Sequence, residues 1–285
     1  MLVELAIGDA YGAGFEYSPA GFVAERNTLA GYVQHPRHVG IAPGQYTDDT
    51  QMTLAIAELL VSGQAWTVEN LADSFVAGYH RDPRDGYSSG FHTLLRAQRT
   101  GAGLRAALNP ASDRSGAAMR TTPLGLLPDI EQVLRATETQ ARITHDTPAG
   151  VEAAQAAALA VYYCHRRIGP TAELGAWVDH ELRRRGGQEE WARPWRGKVG
   201  GQGVMSVRAA ITALTAATGL AELLRACIAF TGDVDTVATI ALAAGSRAAD
   251  IAQDLPRHLY DTLENGRYGR DHLTALDARL LQAFR

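Results

Sequence analysis

The sequence predicts an all-α protein folded as one compact bundle of many helices, and three observations lead to that class. Apolar residues recur at three- and four-residue spacing in segment after segment. Runs of alternating apolar and polar residues are scarce, and alanine-rich stretches allow helices to approach closely. With 285 residues, 46% hydrophobic and 20% charged, the chain can bury a sizeable core. No Pro/Gly/Ser linker, low-complexity tract or fixed-period repeat divides residues 1–285, so a single domain is expected.

Taken in order, an apolar, small-residue helix opens the chain and leads through Gly8-Asp9-Ala10-Tyr11-Gly12-Ala13-Gly14-Phe15 to Glu16. After Asp49, the residues Met52, Ile56, Leu59 and Leu60 line one helical face until Gly63 offers a stop. Thr67 opens the next helix, which carries Leu71, Phe75 and Val76 on one side as far as Tyr79. Asp146-Thr147-Pro148 is a start signal, with proline near the first turn, for an alanine-rich helix from Ala149 to Arg166. Helices from Val204 to Ala217, Leu220 to Phe230 and Thr236 to Ala244 follow, the last capped by Gly245. Residues 256–265 and 271–284 complete the helical set. The segments Phe15 to Tyr46, Arg81 to Gly86, Asn109 to Pro123 and Gly186 to Gly203 read as irregular, and loops of that length are often functional.

Composition removes several classes of function. A formal net charge of −4 favours solubility without naming a partner. The basic run Arg183-Arg184-Arg185 has Glu181, Glu189 and Glu190 beside it and reads as a solvated helix end, so no nucleic-acid face is indicated. Two cysteines, Cys164 and Cys227, cannot build a disulfide framework and lack C-x-x-C spacing. No stretch reaches the roughly 18 unbroken apolar residues of a membrane span, and Met1-Leu2-Val3-Glu4-Leu5 does not read as a signal peptide. A cytoplasmic monomer is the expectation.

The chemistry lies in two short acidic segments, Thr47-Asp48-Asp49-Thr50 and Asp233-Val234-Asp235-Thr236. Each runs straight into an apolar helix, where a carboxylate gains from free backbone N–H groups and the helix dipole. Either segment alone is therefore also readable as a helix cap. A cap needs only one side chain, however, and leaves the neighbouring carboxylate repelling it. A hard divalent cation needs several oxygen ligands; the two segments together offer four carboxylates and three hydroxyls, enough for one or two Mg²⁺ or Mn²⁺ ions. Two further segments carry polar or small residues. Ser115-Gly116-Ala117-Ala118-Met119-Arg120 offers free backbone N–H groups to an anion such as phosphate. His145, in Thr144-His145-Asp146, is placed either to cap a helix or to bond a sugar hydroxyl.

In this order the segments resemble the ADP-ribosylglycohydrolase family, the group containing dinitrogenase-reductase-activating glycohydrolase and the ADP-ribosylhydrolases. The family's Gly-Asp-(small)-x-Gly is similar to residues 8–12, its Thr-Asp-Asp-Thr to 47–50, and its Gly-Asp-x-Asp-Thr to 232–236. Its Ala-Met-Arg-x-x-Pro-x-Gly is similar to 118–125 and its Thr-His to 144–145, so the resemblance covers about residues 3 to 250. It implies the family's all-α fold with two divalent cations, Mg²⁺ or Mn²⁺, at its centre. Thr47, Asp48 and Asp49 would hold them from one side, and Asp233, Asp235 and Thr236 from the other. It implies hydrolysis of the glycosidic bond between the distal ribose of ADP-ribose and a modified protein side chain, such as arginine, or a small-molecule conjugate. Glu16 is then the first choice for general acid or base, with Asp48 or Asp235 as its rival, and residues 115–120 and His145 face the diphosphate and ribose. A catalytically inert ADP-ribose-binding or structural protein on the same fold is the alternative.

The chain departs from the pattern in three places. Asp113-Arg114-Ser115-Gly116 stands where Gly-Asn-Gly is usual, Thr231-Gly232 replaces a Gly-Gly pair, and the tail beyond about residue 250 has its own ending. Within that tail Leu263-Glu264-Asn265-Gly266-Arg267-Tyr268-Gly269-Arg270-Asp271 reads as a turn between terminal helices. The aromatic that would stack on adenine is open among Tyr11, Tyr87, Tyr162 and Trp195.

Overall fold

The computed structural model describes residues 1–284 and is all-α. The helices are α1 (Leu2–Ala13), α2 (Ala20–Arg26), α3 (Asp48–Leu60), α4 (Val68–Arg81), α5 (Ser89–Ala97), α6 (Gly101–Ala107), α7 (Gly116–Met119) and α8 (Ile130–Ala141). They continue with α9 (Pro148–Arg166), α10 (Leu174–Arg183), α11 (Gly203–Ala216), α12 (Leu220–Ala229), α13 (Val234–Gly245), α14 (Arg257–Thr262) and α15 (Arg270–Ala283). Short 3₁₀ turns span Thr122–Leu126 and Thr171–Glu173. Among the described residues extended pairing is limited to isolated bridges, three of which, Ala111 with His145, Arg114 with Gln202 and Val199 with Gly232, tie loops around one cavity.

The centre of the molecule is the crossing of α1 and α13. Both are apolar almost all the way round, and such helices belong in a core rather than on a surface. Every residue of α13 is buried, as is every residue of α1 except Glu4. Glycine permits the crossing to be close. A Cβ on Gly8 would stand 2.7 Å from the Ala238 carbonyl oxygen, and one on Gly12 only 2.4 Å from the Asp235 Cα. The atoms met at Gly12 are backbone, so they cannot swing aside. Gly12→Ala is expected to cost about 1–3 kcal/mol of overpacking and to displace Asp235. Gly21→Ala is the control, since nothing lies within 4 Å of that Cβ and alanine is the better helix former by about 1 kcal/mol. Thermal melts of the two variants should therefore move in opposite directions.

Alanine-rich α9 packs beside this pair, with its run from Ala156 to Val161 fully buried. Ala117, Ala141, Val151 and Ala154 form a small apolar cluster that seats α7 and α8 against it. Gly63 lies just past the end of α3, and Thr67 caps α4 by accepting from the Asn70 N–H, as the sequence predicts.

Several elements differ from the sequence reading. The segment from Phe15 to Tyr46 contains α2, and that from Asn109 to Pro123 contains α7 and the start of a 3₁₀ turn. α14 ends at Thr262, short of 265. Helices α5, α6 and α8 lie where no helix was read, and of α10 only the end at Arg183 was read. In α8 the buried face includes Thr137 and Gln140, so its apolar stripe is interrupted. In α10 it includes Gly175 and Glu181, which blur the period in the same way.

Candidate active site

The first acidic segment starts α3, but neither Thr47 nor Asp48 supplies a side-chain cap from within it. The cap comes from another helix. Asp9, on α1 and fully buried, accepts from the backbone N–H of Thr47 (3.0 Å) and Thr50 (2.9 Å) and from the hydroxyls of Thr47 (2.7 Å) and Thr50 (2.6 Å). With those donors satisfied from α1, Asp48 and Asp49 are left to face a cavity. Burial pushes the Asp9 carboxyl up, against the opposing pull of the Thr50 and Thr47 hydrogen bonds. Asp9 is a site residue that the sequence reading missed, having taken residues 8–14 as a small-residue contact.

The second segment is held by loops. The Tyr17 N–H donates to the Gly232 carbonyl (2.8 Å), the Asp233 N–H donates to the Val199 carbonyl (3.2 Å), and the Ser206 hydroxyl donates to Asp233 Oδ2 (3.0 Å). The Tyr17 bond fastens the turn carrying Glu16 beside Asp233. From the far side His35 fixes the same turn. Its Nδ1 accepts from the N–H groups of Arg37 (3.0 Å) and His38 (2.8 Å), so Nε2 carries the proton and donates to the Glu16 carbonyl (2.7 Å). As a result Glu16, Asp233 and Asp235 each present a carboxylate oxygen within 4.8 Å of the others.

These groups share a cavity of about 610 Å³ whose lining includes Glu16, Asp48, Asp49, Asp233, Asp235 and Thr236. So many carboxyls in a dry space raise one another's proton affinity. Burial, then Asp9 and Glu16, push Asp48 well up; burial, then Asp9 and Asp48, do so for Asp49. Burial, then Glu16 and Asp49, push Asp235 well up. Asp233 is pushed up to about 6 by burial, moderated by hydrogen bonds from Ser206 and Ser115. Glu16 is pushed up to about 7 by burial and by Asp233 and Asp9. Asp49 Oδ1 and Asp235 Oδ1 are buried with no hydrogen-bond partner. Orphaned carboxylate oxygens from two converging segments fit a hard divalent cation, which takes oxygen ligands and relieves the repulsion. The Thr47 hydroxyl gives its proton to Asp9, which leaves its lone pairs as its remaining ligand capacity.

The 115–120 segment divides. Ser115, Gly116, Met119 and Arg120 line the cavity, whereas Ala117 and Ala118 are buried behind it. The Arg120 guanidinium is directed inward, with Nε on Gln140 Oε1 (2.6 Å), Nη2 on Thr144 Oγ1 (2.7 Å) and the Phe75 ring 4.5 Å away. Arg120 can only donate, so the Thr144 proton is left for His145 Nδ1, 2.6 Å off. The proton of His145 then sits on Nε2, which is buried and has no partner. Burial and the Arg120 charge push this imidazole down to about 3, so it stays neutral. The site thus holds one fixed N–H donor on the wall beside the acids.

The lining also has an apolar part, Tyr87, Phe91, Leu94 and Leu108, of which the sequence reading named Tyr87 alone. Tyr87 is the one of the four candidate stacking aromatics that lines the cavity. Tyr11 bonds into the core near Leu29, Tyr162 stacks on Trp177, and Trp195 lies beside Arg208. Arg114, the departure noted above, also lines the cavity, and its charge helps hold Asp233 down.

Comparison with known proteins bears on the family and the fold. A family model described as ADP-ribosylglycohydrolase matches residues 1–285. The chain is similar to ADP-ribosylhydrolase ARH3 of Xenopus tropicalis, 30% identical over 146 residues, covering 47% of this chain and 41% of that one. It is also similar to ADP-ribosyl-[dinitrogen reductase] glycohydrolase of Rhodospirillum rubrum, 31% identical over 149 residues, covering 50% of this chain and 49% of that one. The matched part thus spans less than half of the length of either relative. A solved structure titled ADP-ribosylglycohydrolase-related protein complex superposes with a TM-score of 0.75 at 24% identity, covering 100% of this chain and 96% of that one, and so shares the fold.

Proposed function

Because the chain belongs to the ADP-ribosylglycohydrolase family, we propose that it is a metal-dependent hydrolase that frees ADP-ribose from a modified target. The bond cut is the glycosidic bond at the distal ribose, the whole chain of residues 1–285 acts as one domain, and an arginine-linked ADP-ribosyl protein is the first substrate to test. The observation that carries this reading is the meeting of two acidic segments, far apart in sequence, at one cavity where Asp49 and Asp235 each keep a buried oxygen without a partner.

Thr47, Asp48 and Asp49 would hold the cations from α3, and Asp233, Asp235 and Thr236 from α13. When bound, two Mg²⁺ or Mn²⁺ ions would polarise ribose hydroxyls and lower the pKa of a water. The chain's own residues supply the remainder. His145 Nε2–H donates to a sugar or phosphate oxygen, and its tautomer is fixed through Thr144 by Arg120. The Ser115 N–H is engaged by the Gly201 carbonyl (3.1 Å), so within this segment it is the Gly116 backbone that would face the anionic part of the substrate. Tyr87, Phe91 and Leu108 exclude water along the apolar part of the lining. Glu16, half-buried, close to Asp233 and Asp235 and raised to about 7 in the cation-free site, is placed to pass a proton to the leaving group or take one from an attacking water. Bond cleavage with oxocarbenium character needs such a group within reach.

Glu16→Gln should keep its affinity for free ADP-ribose and lose about 10²–10⁴ in turnover. Calorimetric titration with ADP-ribose beside a rate assay checks both halves. Unchanged turnover would move the proton-transfer role to Asp48 or Asp235. The activity itself is tested by incubating the protein with ADP-ribosylated arginine and serine peptides, with and without Mg²⁺ or Mn²⁺, and measuring free ADP-ribose. Cation-dependent release from either peptide supports the proposal. Binding without release on any linkage would favour the inert ADP-ribose-binding protein instead.

A further inference from the structure

The tail segment that the motif reading left without a role reaches the back of the Asp48 turn. Glu264 Oε1 accepts from the Tyr46 backbone N–H (2.9 Å), one residue before Thr47, and also pairs with Arg84. The Arg84 guanidinium lies 3.9 Å from the Tyr46 ring centroid, donates to the Tyr46 carbonyl (3.3 Å) and holds Asp82 Oδ2 with Nη2 (2.7 Å). Tyr46, itself 2% exposed, sends its hydroxyl to the Tyr268 carbonyl (3.1 Å) and Asp82 Oδ2 (3.3 Å). The Glu264 N–H closes the knot by donating to the Gly44 carbonyl (3.0 Å). Three chain segments, 44–46, 82–84 and 264–268, are therefore tied at one point.

The knot bears directly on the acids. The loop that leaves Arg84 accepts the Asp48 N–H through the Asp85 carbonyl (3.2 Å). One residue on, Gly86 has a φ of 109° and lies so close that a Cβ there would fall 2.1 Å from Asp48 Oδ1. The Asp48 carboxylate is thus pressed between its own helix and a loop whose position Arg84 and Glu264 set. Glu264 and Arg84 have side chains only 17% and 12% exposed, so their pairing is better shielded than an open surface ion pair.

We infer that Glu264, acting through Arg84 and the Tyr46 backbone, is a positioning residue for the Asp48 half of the cation site, so that the C-terminal segment sets how tightly that site holds a divalent ion. The inference rests on the metal reading above and concerns a residue that touches neither cation nor substrate. Partners that orient a ligating carboxylate typically change metal affinity by about 10–100-fold when removed.

The test is a Mn²⁺ titration of the full chain, following free Mn²⁺ by electron paramagnetic resonance, with a thermal melt of each variant. Glu264→Ala should weaken Mn²⁺ binding by about tenfold or more. Glu264→Gln, which keeps an oxygen for the Tyr46 N–H but loses the charge facing Arg84, should fall between it and the parent. Asp277→Ala removes a comparable half-buried partner, that of the Met1 ammonium, and should leave Mn²⁺ binding unchanged whatever it does to the melt. Equal Mn²⁺ affinity in Glu264→Ala and the parent overturns the inference. Should Glu264→Ala not fold, Glu264→Gln decides alone: weaker Mn²⁺ binding at an unchanged melting temperature supports the inference, and unchanged binding overturns it. A parent that binds no Mn²⁺ removes the metal reading itself, a result distinct from either.

Discussion

Asp235→Asn and Asp48→Ala are each expected to lower ADP-ribose release by at least about a thousandfold, equivalent to about 4 kcal/mol of barrier, while the helical circular dichroism is retained. Both carboxylates face the cavity and are buried. Stability should move the other way. Burial and the neighbouring Glu16 and Asp49 raise the Asp235 carboxyl well above its ordinary value of 3.8. A carboxyl raised in the folded state binds its proton more tightly there than in the unfolded chain. Its stabilising contribution is therefore complete below the ordinary value and is lost as pH rises above it. At neutral pH without divalent ions the native protein carries that penalty, and asparagine, which cannot ionise, removes it. Metal-free Asp235→Asn should then melt at or above the parent temperature at pH 7, with the difference vanishing toward pH 4. Adding Mn²⁺ should raise the melting temperature of the parent alone, since a ligand that binds only the native state stabilises it. Near-normal turnover in either variant would show that the substituted aspartate is not a ligand.

Asp9→Ala is expected to produce the largest loss of stability. Its carboxylate satisfies two backbone N–H groups and two hydroxyls at the start of α3. The hydroxyls can rotate toward other acceptors, but the N–H groups of Thr47 and Thr50 would be left buried and unpaired. Each such orphan costs about 1–3 kcal/mol, so a loss of about 3–5 kcal/mol is expected after the relief of removing a buried charge. At about 2–4 °C per kcal/mol for a large domain, the melting temperature should fall by roughly 6–20 °C. Asp9→Asn keeps an acceptor oxygen and should fall by less. Turnover should drop in both variants, because Asp48 and Asp49 follow the turn that Asp9 holds. A melt of Asp9→Ala within a few degrees of the parent would show that α3 is capped in some other way.

Much of the site was legible because its chemistry is local in sequence. Each acidic segment stands at a helix start, and the pairing of clustered aspartates with threonine marks both. His145 was left open between a helix cap and a sugar contact, and its ring lines the cavity. Asp9 was not legible, since its partners lie 38 and 41 residues away and its neighbours read as a small-residue contact. The role of Arg120 was hidden for a similar reason: the sequence offers it as a phosphate ligand, but burial turns its guanidinium onto Gln140 and Thr144. The apolar wall from Tyr87 to Leu108 belongs to α5, α6 and their flanking loops, and helices of nine and seven residues are too short to sustain a period over several turns. The all-α class was legible from long apolar repeats such as α9 and α13. Helices α8 and α10 were not, because the polar residues Gln140 and Glu181 sit on their buried faces.

The central claim is that Thr47–Asp49 and Asp233–Thr236 form the two halves of one divalent-cation site. It is tested most directly by anomalous diffraction from crystals of the protein soaked in Mn²⁺. The account expects two manganese peaks inside the cavity, between the carboxylates of Asp48 and Asp49 on one side and Asp233 and Asp235 on the other, both absent from crystals of Asp235→Asn. Peaks only elsewhere, or none at saturating Mn²⁺, would contradict it.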